Sequence, residues 1–210
     1  MNLKATPASV AAVEGPVALF IGGIRKDKGL DILLKAAAHL RHKIVNLKVQ
    51  IAGMPGPHMA GIRKLVQDLN LQNVVDFRLG YLTEQVFADY VSRATVVALP
   101  YRRIEQSGVA IAACTFGKAI VATRCGGLAE LVTDAGNGLL VPIDDPISFA
   151  DALELLLRDE NQRRVFELRS ENYAQETLSW GSITAKTLDA YQIAIKHRDM
   201  RAARAVTEPS

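Results

Sequence analysis

Cysteine is scarce in this chain of 210 residues, with only Cys114 and Cys125 present. Neither belongs to a CxxC spacing or has a histidine beside it, so both read as free thiols of a reducing compartment. The four histidines, His39, His42, His58 and His197, are too scattered for the roughly four ligands of a zinc site. His39 and His42 read as a pair on a helix surface. Aromatics make up 6% of residues, and the net charge is only +3. A nucleic-acid surface needs a concentrated basic face with interleaved aromatics, so no nucleic-acid partner is expected. No apolar run approaches the roughly 20 residues of a membrane span. The opening MNLKATPASVAAVEGP lacks the apolar stretch of a secretory leader. These absences predict a cytoplasmic protein without a membrane span. GxxxxGK[ST] is missing, as is GxGxxG, and strand two ends Ile51-Ala52-Gly53 without an acidic residue, which argues against a P-loop and against a dehydrogenase. Asp27 and Asp31 do not fit a strand terminus, which argues against a signalling receiver.

What is present is ordinary for a globular domain: 49% apolar and 22% charged residues. Residues 1–16 are small and Pro/Gly-flanked and read as a linker or N-terminal extension. Short continuous apolar runs then alternate with helix-period stretches. Val17 to Ile21 (VALFI) stops at Gly22-Gly23 and fits a strand buried on both faces. Leu30, Leu33, Leu34, Ala37 and Leu40 follow at helical spacing. The unit recurs through LKVQIA, Val74–Leu79, TVVAL, AIVA and GLLV. Thr83 is the expected N-cap of one of the intervening helices. After Pro142 the pattern turns helical: Pro146–Leu157, Asn161–Tyr173 and Trp180–His197. This reads as α/β, an open doubly wound, Rossmann-like parallel sheet of about six strands with helices on both faces, plus C-terminal helices. The domain is expected to span 17–197, with 198–210 a flexible tail. Ligands of such sheets bind outside the carboxyl ends of the strands.

Glycine recurs at those ends, and three of the loops carry candidate chemistry. The first loop, Gly22-Gly23-Ile24-Arg25-Lys26-Asp27-Lys28-Gly29, combines close backbone approach with basic residues ahead of a helix N-terminus, a suitable cradle for a diphosphate. The fourth, PYRRIEQSGV, opens a helix of small residues. Ser107 can cap it, and the amides near Ser107, Gly108 and Val109 can face a phosphate. The fifth reads Arg124-Cys125-Gly126-Gly127.

FIGGIRKDKGLDILLKAA resembles the opening of the second domain of family 4 glycosyltransferases, enzymes of the two-domain GT-B fold. ALPYRRIEQSGVAIAACTFGKAIVATRCGGLAELV followed by GLLVP resembles their donor-site segment, in the subgroup whose loop reads Gln-Ser-Gly-Val. SWGSITAKTLDAYQIAI resembles their terminal helix. The resemblance runs from about Val17 to His197. It implies a nucleoside-diphosphate-sugar donor, retaining transfer of a hexose-like unit, and no required metal or cofactor. Lys28 matches the lysine of the basic pair that neutralises the diphosphate. The pair's arginine falls at Gly23 and is missing, with Arg25 two residues away as a candidate substitute. Two glutamates of the family fall at Ile104 and Ala112, and Glu105 lies one position off the first. In this subgroup Gln106 and Ser107 are candidates to hold the sugar-phosphate. The donor-binding set is therefore Gly22, Gly23, Arg25, Lys28, Gln106, Ser107, Gly108 and Val109, with no catalytic residue assigned.

The resemblance also implies an N-terminal acceptor domain, on this chain's N-terminal side or in a partner chain. Two functional readings stay open: the donor-binding half of a glycosyltransferase, and a degenerate, non-catalytic nucleotide-sugar-binding or interaction module. In the family the last helix reaches back across the other domain. Leu188, Tyr191 and Ile195 are accordingly expected to be exposed here and to promote self-association.

Overall fold

The computed structural model describes residues 14–207. Residues 1–13 and 208–210, and with them most of the expected extension and the end of the expected tail, lie outside the described residues. Six parallel strands form one sheet: β1 (Val17–Ile21), β2 (Lys48–Gly53), β3 (Val75–Leu79), β4 (Val96–Leu99), β5 (Ile120–Thr123) and β6 (Gly138–Val141). Their spatial order is β3-β2-β1-β4-β5-β6. The chain winds outward from β1 in one direction, then returns to β4 and winds outward in the other. The switch between β1 and β4 is where a doubly wound sheet leaves room for a ligand.

Burial explains the strand sequences. Every residue of β1 and of β4 is buried, matching their unbroken apolar runs. The edge strand β3 alternates, with Asp76 and Arg78 exposed. The register runs from Val17 opposite Lys48 to Ile21 opposite Ala52, so β1 and β2 end side by side.

The crossover helices are α1 (Leu30–Leu40), α2 (Met59–Asp68), α3 (Glu84–Arg93), α4 (Gly108–Thr115) and α5 (Gly126–Ala135), followed by α6 (Pro146–Arg158), α7 (Glu160–Glu176) and α8 (Trp180–Thr207). Right-handed crossovers place α1 and α2 on one face of the sheet and α3, α4 and α5 on the other. α6 returns to pack on α1, and α7 packs on α4. α1 buries Leu30, Ile32, Leu33, Leu34, Ala36, Ala37 and Leu40, facing Phe149, Leu153 and Leu156 of α6. Thr83 caps α3, its hydroxyl accepting from the Val86 amide at 3.4 Å.

Two expectations need correction. α1 closes at Leu40, so His42 lies in the following turn, where it accepts from the Arg41 Nε at 2.9 Å. The last helix also extends beyond its expected end at His197. α8 runs on past His197 to Thr207, because RDMRAARAV is rich in strong helix formers and holds neither glycine nor proline. Cys114 and Cys125 are buried, free thiols. Burial pushes the Cys114 thiol up to about 11. Among the described residues, no helix is long and apolar enough to cross a membrane.

Candidate functional site at the strand ends

The loops after β1, β4 and β5 are pressed together backbone to backbone, and glycine makes this possible. Gly29 has φ 62°, and a Cβ there would lie 1.8 Å from the Pro100 carbonyl oxygen. At Gly126 a Cβ would lie 1.9 Å from the Ile104 carbonyl oxygen. Gly29 and Gly126 therefore serve loop-to-loop packing. Gly23 and Gly108 differ: a Cβ at either meets nothing within 4 Å. Gly22 faces the first turn of α4, where its Cβ would stand 3.7 Å from Val109 Cγ2.

Tyr101 joins the two loops that matter most. Its side chain is buried, and the Lys28 ammonium sits 4.0 Å from the ring centroid, an attraction of charge for the π-face. Burial pushes the Tyr101 phenol up to about 12. Ser107 is itself buried, and its Oγ accepts from the Ala110 amide at 3.2 Å, which caps α4. What the loop offers outward is main chain. First-turn amides of a helix have no acceptor within it, and among the described residues those of Gly108 and Val109 have no other. Lys28 thus rests on the ring of a fourth-loop residue, and it belongs to one rim with the loop that leads to Ser107 and α4. Burial, the largest influence, lowers the Lys28 pKa below the ordinary lysine value.

Beside this rim lies a cleft of about 650 Å³ lined by Arg25, Asp27, Arg103, Ile104, Glu105 and Gln106. Arg25 does not stand free. It grips Asp27 with both prongs, at 2.9 and 2.6 Å, and holds that carboxyl below its usual range. Gln106 and Glu105 are exposed, Ile104 is half-buried, and Ala112 lies within α4. Gln106 lines the cleft while Ser107 points into the protein, so the structure separates these two neighbours.

Arg102 holds the region in place. Its guanidinium forks onto Asp31 with both bonds at 2.8 Å and donates to Asp144 at 2.6 Å and to the Lys26 carbonyl at 3.1 Å. The Arg102 amide donates to the Asp27 carbonyl at 2.8 Å. Arg102 thus fastens the fourth loop to the first loop, to α1 and to the segment before α6. Tyr101 and Arg102 were absent from the expected site set. The signal for Tyr101 was an aromatic immediately after the strand-ending Pro100, but nothing in spacing pairs Arg102 with Asp31 or Asp144. A second hollow, of about 390 Å³, lies toward α2 and has an apolar floor of Ile24, Leu30, Ile62 and Leu65. Among the described residues, no three His, Cys, Asp or Glu side chains converge as metal ligands.

The fold and the rim define a class: a doubly wound α/β domain with a candidate ligand site outside the strand ends, at the topological switch. The chain belongs to the glycosyl transferases group 1 family, whose model matches residues 4–173. It is 31% identical over 179 residues to a D-inositol 3-phosphate glycosyltransferase of Corynebacterium urealyticum, covering 82% of this chain and 42% of that protein. It is 34% identical over 180 residues to the protein of the same name from Pseudarthrobacter chlorophenolicus, covering 84% and 42%. The chain therefore spans less than half the length of these relatives. Among solved structures it resembles sucrose-phosphate synthase of Thermosynechococcus elongatus, with TM-score 0.71 at 26% identity over 92% of this chain and 47% of that one. It also resembles the C-terminal domain of a glycosyl transferase group 1 family protein from Francisella tularensis, with TM-score 0.70 at 21% identity over 80% and 88%. The Anabaena protein HepE in complex with UDP shares the fold, with TM-score 0.71 at 19% identity over 86% and 49%.

Proposed function

We propose that this chain is the donor-binding half of a retaining glycosyltransferase. It binds a nucleoside-diphosphate sugar, and transfer requires an acceptor-binding half supplied by adjoining sequence or by a partner chain. The observation that carries this reading is the shared rim: the Lys28 ammonium rests on Tyr101 of the fourth loop, which leads to the Ser107 cap and the open amides of Gly108 and Val109, beside a polar cleft. Diphosphate fits this arrangement. A helix N-terminus and a nearby cation both favour an anion. The same groups stabilise negative charge on the departing nucleoside diphosphate as the glycosyl bond breaks, which is the main electrostatic task of such a transfer. In this reading no metal is required, and Gln106 and the cleft floor meet the sugar. The 390 Å³ hollow, with its apolar floor, suits a diphosphate less well.

Three residues favour a second reading, a non-catalytic module. Gly23, Ile104 and Ala112 stand where the family resemblance implies arginine and two glutamates. The family name of the relatives supports the first reading, and the UDP in the Anabaena structure makes uridine nucleotides the first ligands to try. Buried, unpaired Cys114 and Cys125 fit a cytoplasmic setting. Calorimetric titration with UDP-, GDP- and ADP-linked sugars tests the proposal. Micromolar binding of one of them that requires Lys28 supports donor binding, and absent binding of all of them refutes it.

A further inference from the structure

Among the described residues, the cations that line the cleft of about 650 Å³ beside the rim are Arg25 and Arg103. They differ in what already holds them. Arg25 donates to both carboxylate oxygens of Asp27, at 2.9 and 2.6 Å, so its charge is balanced where it stands. Arg103 is exposed, and among the described residues its guanidinium has neither an ion-pair nor a hydrogen-bond partner. Glu105 shares the cleft wall, yet no ion pair joins it to Arg103. The nearby basic residues are turned to other work. Arg102 forks onto Asp31 and reaches Asp144, and Lys26 lines the apolar hollow.

The main chain that carries Arg103 is fixed on both sides. The preceding residue is pinned to the first loop, where the Arg102 amide donates to the Asp27 carbonyl at 2.8 Å. The following carbonyls, of Ile104 and Glu105, press on Gly126 and Gly127, where a Cβ would lie only 1.9 and 2.1 Å from them. Tyr101, on whose ring Lys28 rests, is two residues away, a chain span of at most about 7 Å. An unpaired guanidinium is therefore presented from a rigid loop close to Lys28. Its planar fork matches two phosphate oxygens at once. The charge count calls for it as well: a nucleoside-diphosphate sugar carries about two negative charges, against one on Lys28 and roughly half a charge at the start of α4.

We propose that Arg103 is the second cation of the donor site, meeting the diphosphate from the fourth loop while Lys28 meets it from the first. The inference deepens the donor-binding reading and rests on it. It assigns to Arg103 the part for which Arg25 is the candidate by sequence, because the Asp27 carboxylate already occupies the Arg25 fork. Since the Arg103 side chain is exposed and holds no other part of the protein, its replacement leaves the fold intact, and melting temperature checks this.

Two measurements on the full chain test it. The first is calorimetric titration with UDP. Arg103→Ala is expected to weaken binding by about five- to thirtyfold, and the loss should shrink as added salt screens the exposed charge. Arg103→Lys keeps the charge without the fork and should fall between Arg103→Ala and wild type. Arg25→Ala is expected to lose less than about threefold, since it removes a guanidinium already paired. The second is modification by phenylglyoxal, read by peptide mass spectrometry. Saturating UDP should slow the reaction of Arg103 and leave that of Arg93, the exposed last residue of α3, unchanged. Undiminished UDP affinity in Arg103→Ala overturns the proposal, as does a loss in Arg25→Ala that equals that of Arg103→Ala, or an Arg103 that UDP does not protect. Each of these leaves donor binding itself standing. Absence of UDP binding by the wild-type chain refutes the donor-binding reading, and the Arg103 assignment with it.

Discussion

Lys28 lies half-buried against an aromatic face, with its ammonium toward the rim. One charge-assisted contact from it to a phosphate makes Lys28→Ala about 10- to 100-fold weaker for UDP. Lys48→Ala serves as control, since Lys48 donates to the Asn73 carbonyl at 3.0 Å on the sheet edge. Calorimetry on both variants checks this, and equal losses contradict the assignment. Gly23 permits the opposite experiment. Its position is exposed and a Cβ meets nothing within 4 Å, so Gly23→Arg adds a cation without a steric cost. UDP affinity is expected to rise by about three- to tenfold in the same titration. At this scale the sequence was partly legible. Lys28, Ser107 and Thr83 announce themselves because capping and strand-end chemistry are local. Arg25 does not: the bidentate grip of Asp27 turns a candidate phosphate ligand into half of an ion pair. Glycine was legible as a signal of close backbone approach, and at Gly29 and Gly126 the group that approaches is a neighbouring carbonyl.

Between elements, the Arg102 clamp sets the geometry of the rim. Arg102 holds the Asp31 carboxyl below its usual range, chiefly by hydrogen bonding. A depressed folded pKa means that this contribution is complete above the unfolded value of about 3.9 and disappears as pH falls through the folded one. Arg102→Ala removes a fork of charged bonds from a partly buried site, costing on the order of 2 kcal/mol, or roughly 4–8 °C in melting temperature. The deficit should be full at neutral pH and shrink below about pH 4 as Asp31 protonates. Melting curves across pH check this, and a deficit that grows in acid contradicts it. Phe149→Ala, at a fully buried contact between α6 and α1, should cost about 3–5 kcal/mol with no pH dependence. Strand and helix existence was readable from apolar periodicity, because buried strands such as β1 and β4 have no polar face to show. The clamp was not readable. Asp31 and Arg102 are 71 residues apart, and only the β1–β4 adjacency of the folded sheet brings them together.

At the scale of the whole molecule, α8 carries a run of exposed apolar side chains. Trp180, Leu188, Tyr191 and Ile195 are 84%, 54%, 63% and 50% exposed, and helical spacing sets them along one side. An apolar stripe of this kind marks an interaction surface, and the chain spans less than half the length of its curated relatives. The isolated chain is expected to self-associate through α8, with Leu188→Glu/Tyr191→Glu restoring a monomer in light scattering. A wild-type monomer at high micromolar concentration contradicts this. Where α8 ends was illegible because a polar composition resembles a tail, while alanine and arginine continue a helix at little cost.

The proposed donor site places Lys28 and the first turn of α4 on one pyrophosphate. Amide chemical-shift mapping during a UDP titration tests it most directly. Saturable shifts centred on Lys28, Gly108 and Val109 are expected. Shifts centred instead on His58 to Leu65, around the apolar hollow, or no shifts at millimolar UDP, contradict it.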